Sequence, residues 1–167
     1  MSLISIHEIK PLGANPAPFS TPIQFSITFS SLSPKELPHD LEWQLIYIGD
    51  PKNSPSCDQV LDEIAVGPVP TGANSFVFDC QAPDPKKVPN EHLLGVSVLL
   101  VTASYKGQAF VKVGYYVEIT YDNEELNAIV NDPEQPNPEP PLYDRLVRNI
   151  TMIEDPRVTQ VTIDWSD

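Results

Sequence analysis

Cysteine is scarce in this sequence, and so is positive charge. Cys57 and Cys80 are the only two thiols and lie 23 positions apart, with no metal-ligand spacing around them. A disulfide framework or a zinc site needs more thiols at closer spacing, so reduced structural thiols are expected. Lys and Arg total 10 against 23 Asp and Glu, a formal net charge of -13. Phosphate backbones are bound through basic footprints, which removes direct nucleic-acid binding from the expectations. The excess acid serves solubility, and it can also draw in a basic partner through its field.

Glycine is sparse too, at seven residues. The chain has no Gly-rich phosphate cradle, no Gly-x-Ser-x-Gly elbow and no His-Glu-x-x-His pattern. His7, His39 and His92 stand far apart without a motif, and the acid pairs Asp62-Glu63 and Glu124-Glu125 read as solvated faces. An enzyme, a cofactor and a metal are therefore not expected. No stretch approaches the about 18 apolar residues of a membrane span. The start "MSLISIHEIKP" lacks the basic opening and apolar core of a signal peptide, so a soluble, intracellular protein is expected. The sequon Asn149-Ile150-Thr151 is a weak signal of a kind that arises by chance.

What is present is alternation. "QFSITF" puts Phe25, Ile27 and Phe29 on one face and Gln24, Ser26 and Thr28 on the other. "LEWQLIYIG" turns Leu41, Trp43, Leu45 and Tyr47 inward, yet Ile46 and Ile48 join the outer set of Glu42 and Gln44. "NSFVFDC" offers Phe76 and Phe78, and "RVTQVTIDW" aligns Val161, Ile163 and Trp165. Proline is plentiful, at 19 residues, and segments such as "PLGANPAPFSTP" and "QAPDPKKVPN" separate these runs. Short strands at this spacing predict an all-β fold, an immunoglobulin-like β-sandwich with short helices in the connecting loops. Those helices are expected in "SCDQVLDEI", in "DNEELNAIV" with Asp122 as N-cap, and in "LYDRLVRNI", where Leu142, Leu146 and Ile150 have helical spacing.

The stretch "GVSVLLVTASYKGQAFVKVGYYV" reads as a hairpin with too much grease for one buried face. Val96, Val98, Leu100 and Thr102 point one way, and Leu99, Val101, Ala103 and Tyr105 the other. One set fills a core; the other is either covered by a further layer or kept open for a partner. A three-residue loop, Lys106 to Gln108, pairs position 98 with 116 and 102 with 112, whereas a two-residue loop pairs 98 with 115. Both registers remain open. Beyond the hairpin, residues 113 to 144 contain no basic residue, and "NDPEQPNPEPP" carries five prolines and reads as a mobile loop.

Four blocks in order resemble the anti-silencing function family of histone chaperones. They are "DLEWQLIYIG" (40–49), "DQVLDEIAVGPVPTG" (58–72), the hairpin at 95–117 and "DPRVTQVTIDW" (155–165). The likeness covers about 1–121 and 142–167, with the Pro-rich acidic loop at about 122–141 as a departure inside a single domain of 1–167. The long acidic tail of some members is not within these residues. The resemblance implies a nuclear, monomeric chaperone for a histone H3/H4 dimer, active in nucleosome assembly and disassembly. It would cover the surface by which one H3 meets another. The positions matching the H3 contact are Val98, Leu100 and Tyr116, with Lys112, Asp58 and Ile48 around them. Those matching an H4 tail contact, made by strand addition, are Tyr115, Arg157 and Thr159.

A third family site docks short basic segments of histone regulator and chromatin assembly factor type chaperones on an acidic pair. Here the pair reads His39-Asp40, with one acid replaced, which weakens that expectation. Lys112 stands where arginine is usual and His92 where an acid is common. Asp58 has a competing role as a first-turn helix acid. The rival reading from another class is an immunoglobulin-like scaffolding or adhesion module for an unrelated protein.

Overall fold

The alternation in "QFSITF" becomes a strand with one dry side. The computed structural model, which describes residues 2–49, 58–138, 140–151 and 153–166, places it in β3 (Ile23–Ser31), where Phe25, Ile27 and Phe29 are fully buried. β3 lies between β1 (Ile4–Leu12) and β6 (Gly72–Cys80) in a three-stranded antiparallel sheet. The second sheet follows the order β2 (Ala17–Pro18), β9 (Leu146–Thr151), β8 (Gln108–Tyr121), β7 (Gly95–Tyr105), β4 (Leu41–Ile48) and β5 (Asp58–Val66). Its seventh strand, β10 (Arg157–Gln160), pairs with Val111 to Gly114 of β8, the part that β9 leaves uncovered.

The core lies between the sheets. Leu41, Trp43, Leu45 and Tyr47 of β4 meet Leu99, Val101, Ala103 and Tyr105 of β7 and the inward row of β3. Phe29 packs against Trp43 at 5.9 Å between ring centroids, and Phe25 against Tyr115 at 5.5 Å. Each such side chain contributes about 1.5–3 kcal/mol by leaving water. The immunoglobulin-like β-sandwich expected from the alternation is the architecture found, with α1 (Asn90–Leu93) and α2 (Glu124–Asn131) as short helices in its connections.

Local structure departs from the sequence reading in five places. "DQVLDEI" is β5, an edge strand, and not a helix. A bulge opposite Leu45 and Ile46 turns Leu61 into the core directly after the outward Val60, so the apolar residues lose their period of two. "LVRNI" is strand β9, because the four-residue spacing of Leu146 and Ile150 also fits a period of two. The inward position between them is held by Arg148, which disguises the pattern. In α2 the cap is Asn123, whose Oδ1 accepts from the N–H groups of Glu125 and Leu126 at 2.8 and 3.1 Å, while Asp122 accepts from Arg145 Nε at 2.9 Å. Strand β10 ends at Gln160, leaving Val161 exposed, whereas Ile163 and Trp165 do pack on the core. Cys80 is a free buried thiol, as expected, and Cys57 lies outside the described residues.

The fifth departure is the hairpin turn. Lys106 and Gly107, at φ 53° and 77°, form a two-residue turn with Tyr105 opposite Gln108. Between Ser104 opposite Ala109 and Ala103 opposite Val111, β8 gains one residue, Phe110. That bulge restores the register in which Val98 faces Tyr116 and Thr102 faces Lys112. Of the two registers left open by the sequence, the one that pairs 98 with 116 is present, reached by a tight turn plus a bulge. The extra side chain is not wasted: Phe110 is buried against Trp165, 4.9 Å between centroids, and Trp165 stacks on Tyr105 at 5.1 Å.

Burial makes the core sensitive to alkali. Desolvation pushes the phenols of Tyr47 and Tyr115 up to about 12, and desolvation aided by Asp62 and Asp79 pushes the Cys80 thiol up to about 12. In the unfolded chain these groups ionise near 9 for the thiol and 10 for the phenols. Between about pH 9 and 12 the folded state holds more protons, so stability falls as pH rises. The urea midpoint is expected to drop steadily from pH 8.5 to 11, and a flat profile across that range would contradict the assignment.

Candidate functional site

The second face of the β5-β4-β7-β8 sheet carries the other apolar set. Because side chains alternate, residues directly opposite one another on neighbouring strands share a face, which allows that face to be read in rows. One row runs Asp58, Ile48, Val98, Tyr116 and Thr151, and the next runs Val60, Ile46, Leu100, Gly114 and Arg157. A third runs Glu63, Gln44, Thr102, Lys112 and Thr159. All six residues matched to an H3 contact, namely Val98, Leu100, Tyr116, Lys112, Asp58 and Ile48, thus lie on one face within three adjacent rows.

The centre of the face is apolar and only partly covered. Ile46, Ile48, Val98 and Leu100 are half-buried, Tyr116 is 40% exposed and Val60 is 55% exposed. A cleft of about 160 Å³ opens at its middle, lined by Val98, Leu100, Lys112, Gly114, Tyr116, Arg157 and Thr159 together with Tyr115. Arg157 reaches across from β10 so that Nη1 donates to the Tyr116 hydroxyl at 3.4 Å. No further layer covers these residues among those described, so the covered-core alternative does not hold for Val98 and Leu100.

Charge is distributed with a polarity. Acids occupy the β5 edge, where Asp58 is exposed and Glu63 accepts from Gln44 Nε2 at 2.9 Å, and a further acid, Glu118, lies on β8 opposite Val96. Cations, Lys112 and Arg157, occupy the β10 side. Withdrawal of water around Asp58 lifts its carboxyl above the ordinary carboxylate range. Since β5 is a strand, Asp58 opens that strand opposite Ile48 and has no helix to cap.

The H4-tail candidates divide. Arg157 and Thr159 lie on exposed β10, whose other edge pairs with no strand among the described residues. Tyr115 does not present its side chain there. It is 1% exposed, and its hydroxyl donates to the Ile9 carbonyl, so it ties the two sheets together from inside. His39 and Asp40 precede β4 at the end opposite Ile48, about 23 Å away for seven residue steps of a strand. Both are exposed. The His39 ring meets Tyr105 edge-on at 5.8 Å, and the Asp40 carboxylate fills the space beside Gly67.

Two members of the face escaped the sequence reading: Val60 was hidden by the helical reading of β5, and Gly114 gave no signal except its presence inside a strand. Ile46 was read on the outer face but given no role.

An exposed apolar sheet face, notched at its centre and rimmed by charge of both signs, marks the molecule as a β-sandwich with one sheet face open to solvent. The comparisons with known proteins give the family. The profile described as ASF1 like histone chaperone matches residues 1–166. The chain is 47% identical over 165 residues to the histone chaperone asf1 of Aspergillus oryzae, covering 99% of this chain and 54% of that protein. It is 47% identical over 167 residues to the histone chaperone ASF1 of Kluyveromyces lactis, covering 100% of this chain and 56% of that one. Against the histone chaperone ASF1 of Mycosarcoma maydis the identity is 44% over 167 residues, 100% of this chain and 89% of that protein. The chain belongs to the ASF1-like histone chaperone family. It spans just over half the length of the Aspergillus and Kluyveromyces relatives. The matches span 122–141 as well as the blocks on either side.

Proposed function

We propose that this chain binds a histone H3/H4 dimer with the outer face of the β5-β4-β7-β8 sheet, covering the surface by which one H3 meets a second. The observation that carries the reading is the gathering of Val98, Leu100, Tyr116, Lys112, Asp58 and Ile48 on one face around a cleft. Apolar groups at the centre supply most of the affinity, and the flanking charges set orientation and association rate. The H4 tail adds a strand along the open edge of β10, using backbone groups there and the side chains of Arg157 and Thr159 at its rim. The backbone makes this second contact, which agrees with the burial of Tyr115.

A monomer that holds one dimer and hands it on suits nucleosome assembly and disassembly in the nucleus. The net charge of -13 adds long-range attraction for basic histones. Asp40, with His39 in place of a second acid, is the docking point for short basic segments of partner chaperones, at the far end of β4 from the histone face. The test is a calorimetric titration of purified H3/H4 at rising salt. Affinity is expected to weaken and then level off, because apolar contact survives screening. Complete loss at moderate salt would point to a charge-only attraction and overturn the reading.

A further inference from the structure

The run "PNPEPPLY", 136–143, holds four prolines in eight residues. Pro136, Pro138 and Pro141 line one side of a cavity of about 530 Å³, and Leu93, Leu94 and Tyr121 line the other. The prolines are thus propped over a space at the end of the sandwich. Among the described residues, two hydrogen bonds tie this run to the body: Leu142 N–H donates to the Tyr121 hydroxyl at 3.2 Å, and the Tyr143 hydroxyl donates to Asn90 Oδ1 at 3.5 Å. Pro140 and Leu142 are exposed, and the Tyr143 ring is half-buried with Lys86 Nζ 5.9 Å from its centroid. A single 3₁₀ turn over Tyr143–Arg145 then leads to Leu146, which is fixed in the core. What can lift therefore ends at that turn.

Proline fixes φ and lacks an N–H, so a Pro-rich run enters the polyproline II helix with little entropy left to lose. Small domains of the SH3 and WW kinds take such runs into aromatic-lined grooves. They differ in what they ask of the flanks. An SH3 groove pairs its acids with a cation beside a Pro-x-x-Pro, whereas one group of WW domains reads Pro-Pro-x-Tyr and gives the tyrosine a pocket of its own. Pro138 and Pro141 have the first spacing, yet Glu134, Glu139 and Asp144 surround them and residues 113–144 hold no Lys or Arg. Pro140, Pro141, Leu142 and Tyr143 supply the second pattern in full. With three residues per turn, Pro138 and Pro141 share the cavity side while Pro140 and Tyr143 share another. We propose that Pro140-Pro141-Leu142-Tyr143 is a docking peptide for a WW-type domain, latched to the body by the Tyr121 hydroxyl and opened when the partner lifts it off the cavity. The closed state lowers the apparent affinity by the fraction of molecules that are open.

The experiment titrates the full chain with a purified WW domain selective for Pro-Pro-x-Tyr and, separately, with an SH3 domain. The WW domain is expected to bind and the SH3 domain not to. Tyr143→Ala and Pro140→Ala are each expected to weaken WW binding by about tenfold or more, the loss typical of an anchor residue. Pro140 is exposed, so its variant keeps the fold intact and separates a lost contact from a damaged protein. Tyr121→Phe, which removes the latch to Leu142 N–H, is expected to bind the WW domain severalfold tighter. No WW binding at about 1 mM would overturn the proposal, as would Pro140→Ala and Tyr143→Ala variants that bind like the parent. Binding to the SH3 domain alone would overturn it too. An unchanged affinity for Tyr121→Phe would refute the latch.

Discussion

Val98→Arg is expected to melt within a few degrees of the parent protein and to show no measurable binding to H3/H4. Val98 faces solvent between Ile48 and Tyr116 on an exposed sheet face, so a long side chain can extend into water without disturbing Leu99 or Val101 beneath. Binding removes that freedom. The guanidinium would be trapped in the desolvated centre of the contact, with Lys112 and Arg157 as its charged neighbours across the cleft. An uncompensated charge at the centre of an interface costs several kcal/mol, on the order of a thousandfold in affinity or more. Calorimetry and a thermal melt on one preparation decide the matter, and a mutant that titrates like the parent would remove Val98 from the site.

Arg148→Met is expected to lower stability by about 3 kcal/mol, which for a chain of this size is a fall of about 6–12 °C in melting temperature. The side chain points into the molecule from β9 and is only 7% exposed. Its Nη1 donates to the carbonyls of Pro18 and Phe19, both at 3.1 Å, and to that of Thr21, while Nη2 donates to Pro22 at 3.3 Å. Burial lowers the guanidinium pKa from its usual value, the mark of a charge held away from water and compensated by carbonyl dipoles. Methionine fills much of the volume but leaves those carbonyls without a donor. Arg148→Lys should fall between the two, because an ammonium cannot span the same fork. The proposed histone face lies elsewhere, so affinity measured below the melting range should be unchanged. A shift of under 1 °C for Arg148→Met would mean that water replaces the guanidinium at little cost.

Arg148 also shows where the sequence stops being legible. Alternation identified β3, β4, β7 and β8 because their inward rows are apolar except for Ser31 and Ser97 and carry most of the core. It failed on β9, where an inward arginine broke the pattern, and on β5, where a bulge inserted one residue and produced a helical spacing. Both failures come from interactions distant in sequence: four carbonyls more than 120 residues away, and the pairing partner β4. The outer apolar face was legible as excess hydrophobicity at Ile46, Ile48, Val98 and Leu100, and the resemblance supplied the role proposed for it. Its register was recoverable only in part, since the same pairing arises from a three-residue loop or from the two-residue turn with the Phe110 bulge that the chain uses. Tyr115 came from the resemblance alone, and the alternation that sets Tyr116 opposite Val98 on the outer face also turns Tyr115 to the core, where it is buried.

Stoichiometry tests the central claim most directly. In sedimentation equilibrium with purified H3/H4, the complex is expected to contain one copy of this chain, one H3 and one H4, with cross-linking between two H3 molecules lost in proportion to complex formed. A complex that retains two H3/H4 dimers joined through H3, with that cross-link intact, would contradict the placement of the histone on the β5-β4-β7-β8 face.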